Sequence, residues 1–167
     1  MKKRHYYGRL LKTENMRKLV FLASICFGIV ACDENVVDKS GQQAKITQLT
    51  NIVIEGPWRI TYFFDADHEE TANFSSYSFE FAPTAAITAT NGSTSVSGSW
   101  SITADNSSDD NNSESDNIDF NLSFSAPTNF EDLSEDWEIV SQSASKIELR
   151  HISGGNGGTD LLTFEKI

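Results

Sequence analysis

The chain has 167 residues, with 13 lysines and arginines, 24 aspartates and glutamates and a formal net charge of -11. This length fits one domain, and the acidic balance argues against nucleic acid as a partner, because an acidic surface repels phosphates. Residues 1–31 hold 7 of the basic and 1 of the acidic side chains, so 6 basic and 23 acidic side chains remain in residues 32–167. A polybasic attachment to anionic lipid is therefore excluded as well.

An apolar run follows a basic flank near the N-terminus. Residues 19–31 read LVFLASICFGIVA, without a charged residue, and come directly after Arg17 and Lys18. A bilayer-spanning helix needs about 20 residues, so this run is too short, whereas a basic flank, a short apolar run and a final small residue are typical of a secretory signal peptide. We predict that residues 1–31 are an upstream extension plus signal peptide, with Met16 preferred over Met1 as the start.

The end of this run, Gly-Ile-Val-Ala-Cys at 28–32, resembles the lipobox of bacterial lipoproteins. The resemblance implies cleavage after Ala31 and a diacylglyceryl thioether on Cys32, where two acyl chains such as palmitate give stable membrane anchoring. With Cys26 removed and Cys32 modified, no disulfide framework and no thiolate cluster remains.

The residues after Cys32 resemble a lipoprotein sorting signal. Asp33, Glu34 and Asn35 form an acidic run that resembles the surface-export signal of lipoproteins of the Bacteroidetes group, although an Asp here favours inner-membrane retention in enterobacterial lipoproteins. We expect an outer-membrane location with surface exposure. Residues 32–50 are polar without a clear period, which predicts a lipidated N-terminus followed by a flexible tether.

From residue 51 to 167 the repeating pattern is an alternation with period two, typical of strands with one buried face. The longer predicted strands are 58–64, 77–81, 96–102 and 118–124, and the shorter ones are 86–90, 137–141, 146–151 and 161–166. Asn91-Gly92 and the glycines at 154–158 are turn signals. The fold class is therefore all-β, as an eight-stranded antiparallel up-and-down barrel, with a partly open barrel or a β-sandwich as alternatives.

Two segments interrupt the strands. Residues 129–137 (NFEDLSEDW) have a short helical pattern, and residues 107–116 (SSDDNNSESD) form a low-complexity acidic loop that we expect to be disordered.

Gly56-Pro57-Trp58 opens the first strand and resembles the G-x-W signature of lipocalins. Residues 53–167 are similar to lipocalin-like lipoproteins of the Bacteroidetes group in the stretches EGPWRITYFFD, YSFEF, TATNG, GSW, FEDLSEDWEI, KIELRHISGGNGGTD and LTFEK. The resemblance implies that Gly56 and Trp58 form the base of the barrel. The family's late basic residue over the tryptophan has two candidates, Arg150 and Lys166, and the short helix that usually precedes G-x-W is replaced here by the run 52–55.

The strand parities place a set of aromatic side chains inside the barrel and Phe63 outside. The inward set is Tyr62, Phe79, Trp100, Phe120 and Phe124. These rings would either line an apolar ligand pocket or fill the core. An up-and-down order puts the connections 65–73, 91–93 and 154–158 at the open end, together with Phe130 and Leu133 as a lid over the mouth.

Two polar clusters and one histidine are candidates for metal binding or catalysis. The cluster of Asp65, Asp67, His68, Glu69 and Glu70 offers oxygen ligands of the kind that suit calcium, but a charge run of this kind is more commonly a solvated loop. The oxygen-rich loop 109–116 lacks the central glycine and distal glutamate of a calcium loop and is interpreted as solvated too. His151 has no nearby Ser or Cys partner and is interpreted as structural. We predict no metal ligand, no cofactor and no catalytic residue.

Together these features predict a non-enzymatic, lipid-anchored lipocalin-like protein of the cell envelope. The leading hypothesis is that its barrel binds an apolar or amphipathic small molecule against the inward aromatics. The alternative is a filled barrel that acts as a surface interaction or structural lipoprotein with an envelope protein as partner. An empty cavity inside the barrel would favour the first hypothesis, and a packed interior with an exposed apolar patch, including the outward-facing Phe63, would favour the second.

Overall fold

The computed structural model describes residues 34–104, 118–153 and 158–167. The predicted signal peptide with Ala31, the lipidation site Cys32 and the acidic loop 107–116 lie outside these residues, as do residues 154–157 of the glycine-rich connection.

The described part of the chain consists of two helices, nine strands and a short 3₁₀ helix. Their bounds are α1 Glu34–Ile54, β1 Trp58–Asp65, β2 His68–Glu69, the 3₁₀ helix Thr71–Asn73, β3 Ser78–Phe81, β4 Ala86–Thr90, β5 Ser95–Ala104, β6 Ile118–Ser123, α2 Thr128–Glu131, β7 Asp136–Gln142, β8 Lys146–Ile152 and β9 Thr159–Lys166. All eight strands predicted from the alternation are present, and the two-residue strand β2 is an addition.

The strands form a closed antiparallel up-and-down barrel. Each strand from β3 to β8 pairs with the next along the chain, and β1 closes the sheet by pairing with both β3 and β9. The β1–β9 seam holds six residue pairs, from Trp58↔Lys166 to Phe64↔Leu161, whereas the β1–β3 seam holds the single pair Trp58↔Phe79. This closure confirms the predicted barrel and excludes the partly open barrel and the sandwich.

A β-bulge in β1 reverses the predicted parity. Ile60 pairs with Phe164 and Tyr62 with Thr163, so that Thr61 is an extra residue on β1. An extra residue moves the following side chains to the opposite face of a strand. The predicted placement of Tyr62 inside and Phe63 outside is therefore wrong, since Phe63 is fully buried and Tyr62 is only half-buried.

Residues 34–54 form a helix where a flexible tether and an irregular 52–55 run were predicted. Leu49 and Val53 are buried in the barrel core, and Ile46 packs against it. These three positions have helical spacing. The apolar stripe they form is narrow and crosses residue 51, the predicted start of the domain, so the sequence pattern does not reveal the helix. Neither α1 nor α2 has the combination of length and apolar character that a membrane-spanning helix requires, in the part of the chain described.

Candidate functional site

The barrel interior contains four of the five aromatic side chains predicted to face it. Phe79 and Phe120 are fully buried, and Trp100 and Phe124 are buried to within a few per cent. The fifth, Tyr62, lies outside the core because of the bulge in β1. Phe63 enters the core instead of Tyr62, although the alternation along β1 predicts that Phe63 faces outward.

These rings pack against one another. The Phe81 ring meets those of Trp100 and Phe120 edge-on, with centroids 5.4 and 5.8 Å apart, and Trp100 stacks on Phe120 at 6.1 Å. Phe164 contacts both Phe79 and Phe81 at 5.5 and 5.6 Å. A water-sized cavity beside a ring would leave part of it accessible, and Phe79 and Phe120 have no accessible surface. The interior around them is therefore filled.

Phe130 fills the barrel from the end predicted to be open, which we call the Phe130 end. Its ring centroid lies 5.2 Å from that of Phe74, 5.1 Å from Tyr77 and 5.2 Å from Phe124. Phe130 and Leu133 both have no exposed surface. The predicted lid is thus a plug whose ring is inserted among the core aromatics.

A connection, rather than a strand, positions the plug. Phe130 lies in the four-residue helix α2, and the Leu133 amide donates to the Phe130 carbonyl at 3.2 Å. Ser134 ties this connection to β6, because its hydroxyl accepts from the Phe124 amide at 2.8 Å and donates to the Phe124 carbonyl at 3.1 Å. The indole of Trp137 donates to the Leu133 carbonyl at 3.1 Å.

The opposite end, which we call the Trp58 end, is closed by α1 and the G-x-W residues. The Trp58 indole donates to the Val53 carbonyl at 2.8 Å, and Gly56 makes the intervening turn with a φ of 99°. The Lys166 ammonium lies 5.1 Å from the Trp58 ring centroid and 3.7 Å from Glu55. Of the two candidate basic residues, Lys166 therefore contacts the tryptophan, and Arg150 pairs instead with Glu138 at 2.6 Å.

A cleft of about 240 Å³ lies at the Trp58 end. It is lined by Ile54, Gly56, Pro57, Glu80, Phe81 and Ala82. Sequence reasoning placed a ligand mouth at the other end of the barrel, so it missed this cleft, which depends on how α1 meets the start of β1.

Titratable side chains gather at the Phe130 end. The two nitrogens of His68 lie 2.6 Å from Asp67 and 2.6 Å from Glu70, and these hydrogen bonds raise the pKa of the exposed His68. Burial raises the pKa of Asp65, and the charges of Asp160 and Asp132 raise it further. The 65–70 cluster is largely exposed, as the predicted solvated loop is, and it is tied to β9 by the hydrogen bond from the Ala66 amide to Asp160 at 2.7 Å.

His151 is part of a second cluster that sequence reasoning missed. Its Nε2 lies 3.5 Å from Glu135 and its Nδ1 lies 3.4 Å from Asp136. One donor atom from each of these three residues lies within 4.8 Å of the other two. The signal was present in the adjacent acids at the start of β7, but only the β7–β8 pairing brings the histidine to them.

Neither a protein-family model nor a curated protein sequence matches this chain.

Proposed function

We propose that this protein is a lipid-anchored, non-catalytic lipocalin-like lipoprotein of the bacterial cell envelope, whose filled barrel acts as an interaction or structural module. The observation that supports a filled barrel is the mutual packing of the interior rings, with Phe79, Phe120 and Phe130 fully buried. A preformed small-molecule site needs a concave apolar space, which these rings occupy themselves.

The anchor in this proposal is Cys32, with the membrane as partner through its acyl chains. The lipobox at 28–32 supports lipidation, and the acidic run after Cys32 supports export to the outer membrane and its surface. The chain from Cys32 onward holds 23 acidic side chains against 6 basic ones. This excess favours an envelope partner with a basic surface, because complementary charge steers association.

The anchor is tested by labelling cells that express the full chain with an alkyne analogue of palmitate. We expect label on the wild type, recovery in the outer-membrane fraction, and loss of both in Cys32→Ser. Protease added to intact cells should remove the surface-exposed domain. A wild-type chain without label, or a Cys32→Ser variant that keeps it, would refute the lipidation.

The filled barrel is tested by native mass spectrometry of the full chain with long-chain fatty acids and haem. We expect the bare protein mass, since a ligand would have to displace packed aromatic rings. A stoichiometric adduct would contradict the filled interior.

One observation favours a carrier as the second candidate function. The Phe130 ring comes from a four-residue helix between two strands, so a movement of this connection would vacate space beside Phe74, Phe79 and Phe124 without breaking the barrel. In that case the wild type should bind a fatty acid and Phe130→Ala should bind it more tightly, while Phe164→Ala, altered inside the strands, should not.

A further inference from the structure

The structure assigns a divalent-metal site, best suited to zinc, to Glu135, Asp136 and His151 at the Phe130 end. This site is independent of the proposed function. In the part of the chain that the structure describes, no other trio of His, Cys, Asp and Glu brings its donor atoms as close together.

The spacing of the donors is that of metal ligands rather than of hydrogen bonds. Ligands on a tetrahedral zinc ion, with bonds of about 2.0–2.1 Å, are about 3.4 Å apart. The His151 Nε2 lies 3.5 Å from a Glu135 oxygen and its Nδ1 lies 3.4 Å from an Asp136 oxygen, both beyond the usual N–H···O distance. One nitrogen of His151 and one carboxylate oxygen from each acid lie within 4.8 Å of one another, so a small movement of the partly exposed carboxylates would bring all three donors onto one ion.

The imidazole has the second-sphere contact that a metal-binding histidine uses. Its Nδ1 lies 3.3 Å from the Asp136 backbone carbonyl. A proton on Nδ1 directed at this carbonyl leaves the lone pair of Nε2 free for a metal, the arrangement common around zinc.

The ligands are carried by fixed elements. The Glu135 carbonyl accepts from the Leu122 amide at 3.1 Å, and the Glu135 amide donates to Leu133 at 3.1 Å. His151 pairs in register with Asp160 of β9 and packs edge-on against the buried Trp137, with centroids 6.2 Å apart. The backbone of the site is therefore fixed, and an ion bound there would join the start of β7 to β8, with a fourth position open to water.

The negative charge of the Glu135 and Asp136 carboxylates also favours a bound cation. In the described part of the chain, the ion pairs of both carboxylates are with His151 alone, so a neutral imidazole leaves two anionic groups beside each other. The His68 cluster differs, because Asp67 and Glu70 lie only 2.6 Å from the two ring nitrogens, so both nitrogens of His68 are already hydrogen-bonded.

The test is titration calorimetry of the full chain with zinc chloride near pH 7.5, in the wild type, His151→Gln, Glu135→Gln and the matched control His68→Gln. We expect the wild type to bind one zinc per chain. The zinc affinity of His151→Gln and Glu135→Gln should fall at least about tenfold, since even the loss of a second-sphere partner costs that much. The affinity of His68→Gln should not change. Unchanged far-UV circular dichroism checks that the variants are folded.

A second readout does not depend on the variants. Addition of Co²⁺ should shift the imidazole proton resonances of His151 strongly and those of His68 little. No zinc binding up to millimolar concentration, wild-type affinity in His151→Gln, or an equal loss in His68→Gln would overturn the site.

Discussion

At the Trp58 end the barrel is closed by groups that belong to its longest elements, whereas at the Phe130 end it is closed by a connection. Trp58 lies in the eight-residue strand β1 and bonds to the last turn of α1, and its neighbour in β9 is Lys166. Phe130 lies in a four-residue helix held by Ser134 and by short turns. Strands and a helix exclude water at one end, and a short connection does so at the other.

The two edges of β1 show the same contrast. Toward β9 the strand has six residue pairs, but toward β3 it has one. Beside Phe63 the missing strand partner is replaced by a side chain, since the Thr71 hydroxyl accepts from the Phe63 amide at 2.8 Å. We therefore expect the barrel to open first at the Phe130 end and at the β1–β3 seam.

The largest effect should come from Trp58→Ala. The ring is fully buried and its indole is hydrogen-bonded to Val53, so its loss should cost about 3–5 kcal/mol of unfolding free energy in urea denaturation. Trp58→Phe, which keeps most of the packing, should cost less. A loss below about 1 kcal/mol for the alanine variant would show that the Trp58 end does not stabilise the barrel.

Phe130→Ala should cost about 3 kcal/mol, at the lower limit for buried aromatic residues, because a connection collapses into a cavity more readily than a strand does. Urea denaturation measures this change, with Phe130→Leu as the milder control. A loss larger than that of Trp58→Ala would reverse the proposed difference between the ends.

The sequence predicts features that depend on a local residue pattern, and it fails for features that depend on which strands pair. The alternation in 77–81 and 118–124 predicts strands directly, because the period of a strand is local. The bulge at Thr61 is set by pairing with β9 and has no local signature, so Tyr62 and Phe63 were placed on the wrong faces. Helix α1 was missed because its buried positions cross the assumed domain boundary, and the Glu135, Asp136 and His151 cluster because it forms only when β7 meets β8.

Thr71→Val tests the narrow seam. It replaces the hydroxyl that serves the Phe63 amide with a methyl group of the same size, and an unpaired amide of this kind costs about 1–3 kcal/mol. Thr71→Ser keeps the hydroxyl and is the control. Equal stability of the valine variant and the wild type would mean that the seam does not depend on this contact.

The smallest effect should be the pH dependence at Asp65. Burial, together with the charges of Asp160 and Asp132, raises its pKa in the folded state, so the folded protein binds this proton more tightly than the unfolded chain does. The stability that the protonated form contributes is present below the ordinary pKa of about 3.9 and is lost as the pH rises through the raised value. Asp65→Asn should therefore melt at a higher temperature than the wild type at pH 7, and the difference should vanish near pH 3. A destabilised Asp65→Asn at pH 7 would contradict this sign.

The unequal closure of the two ends is tested most directly by hydrogen exchange at the tryptophan indoles, followed by nuclear magnetic resonance of the ¹⁵N-labelled full chain. The indole of Trp58 donates to Val53 at one end, and that of Trp137 donates to Leu133 at the other. We predict that the Trp137 indole proton exchanges markedly faster, because the connection that carries Leu133 opens without unfolding of the barrel. Equal exchange rates, or faster exchange at Trp58, would contradict the account.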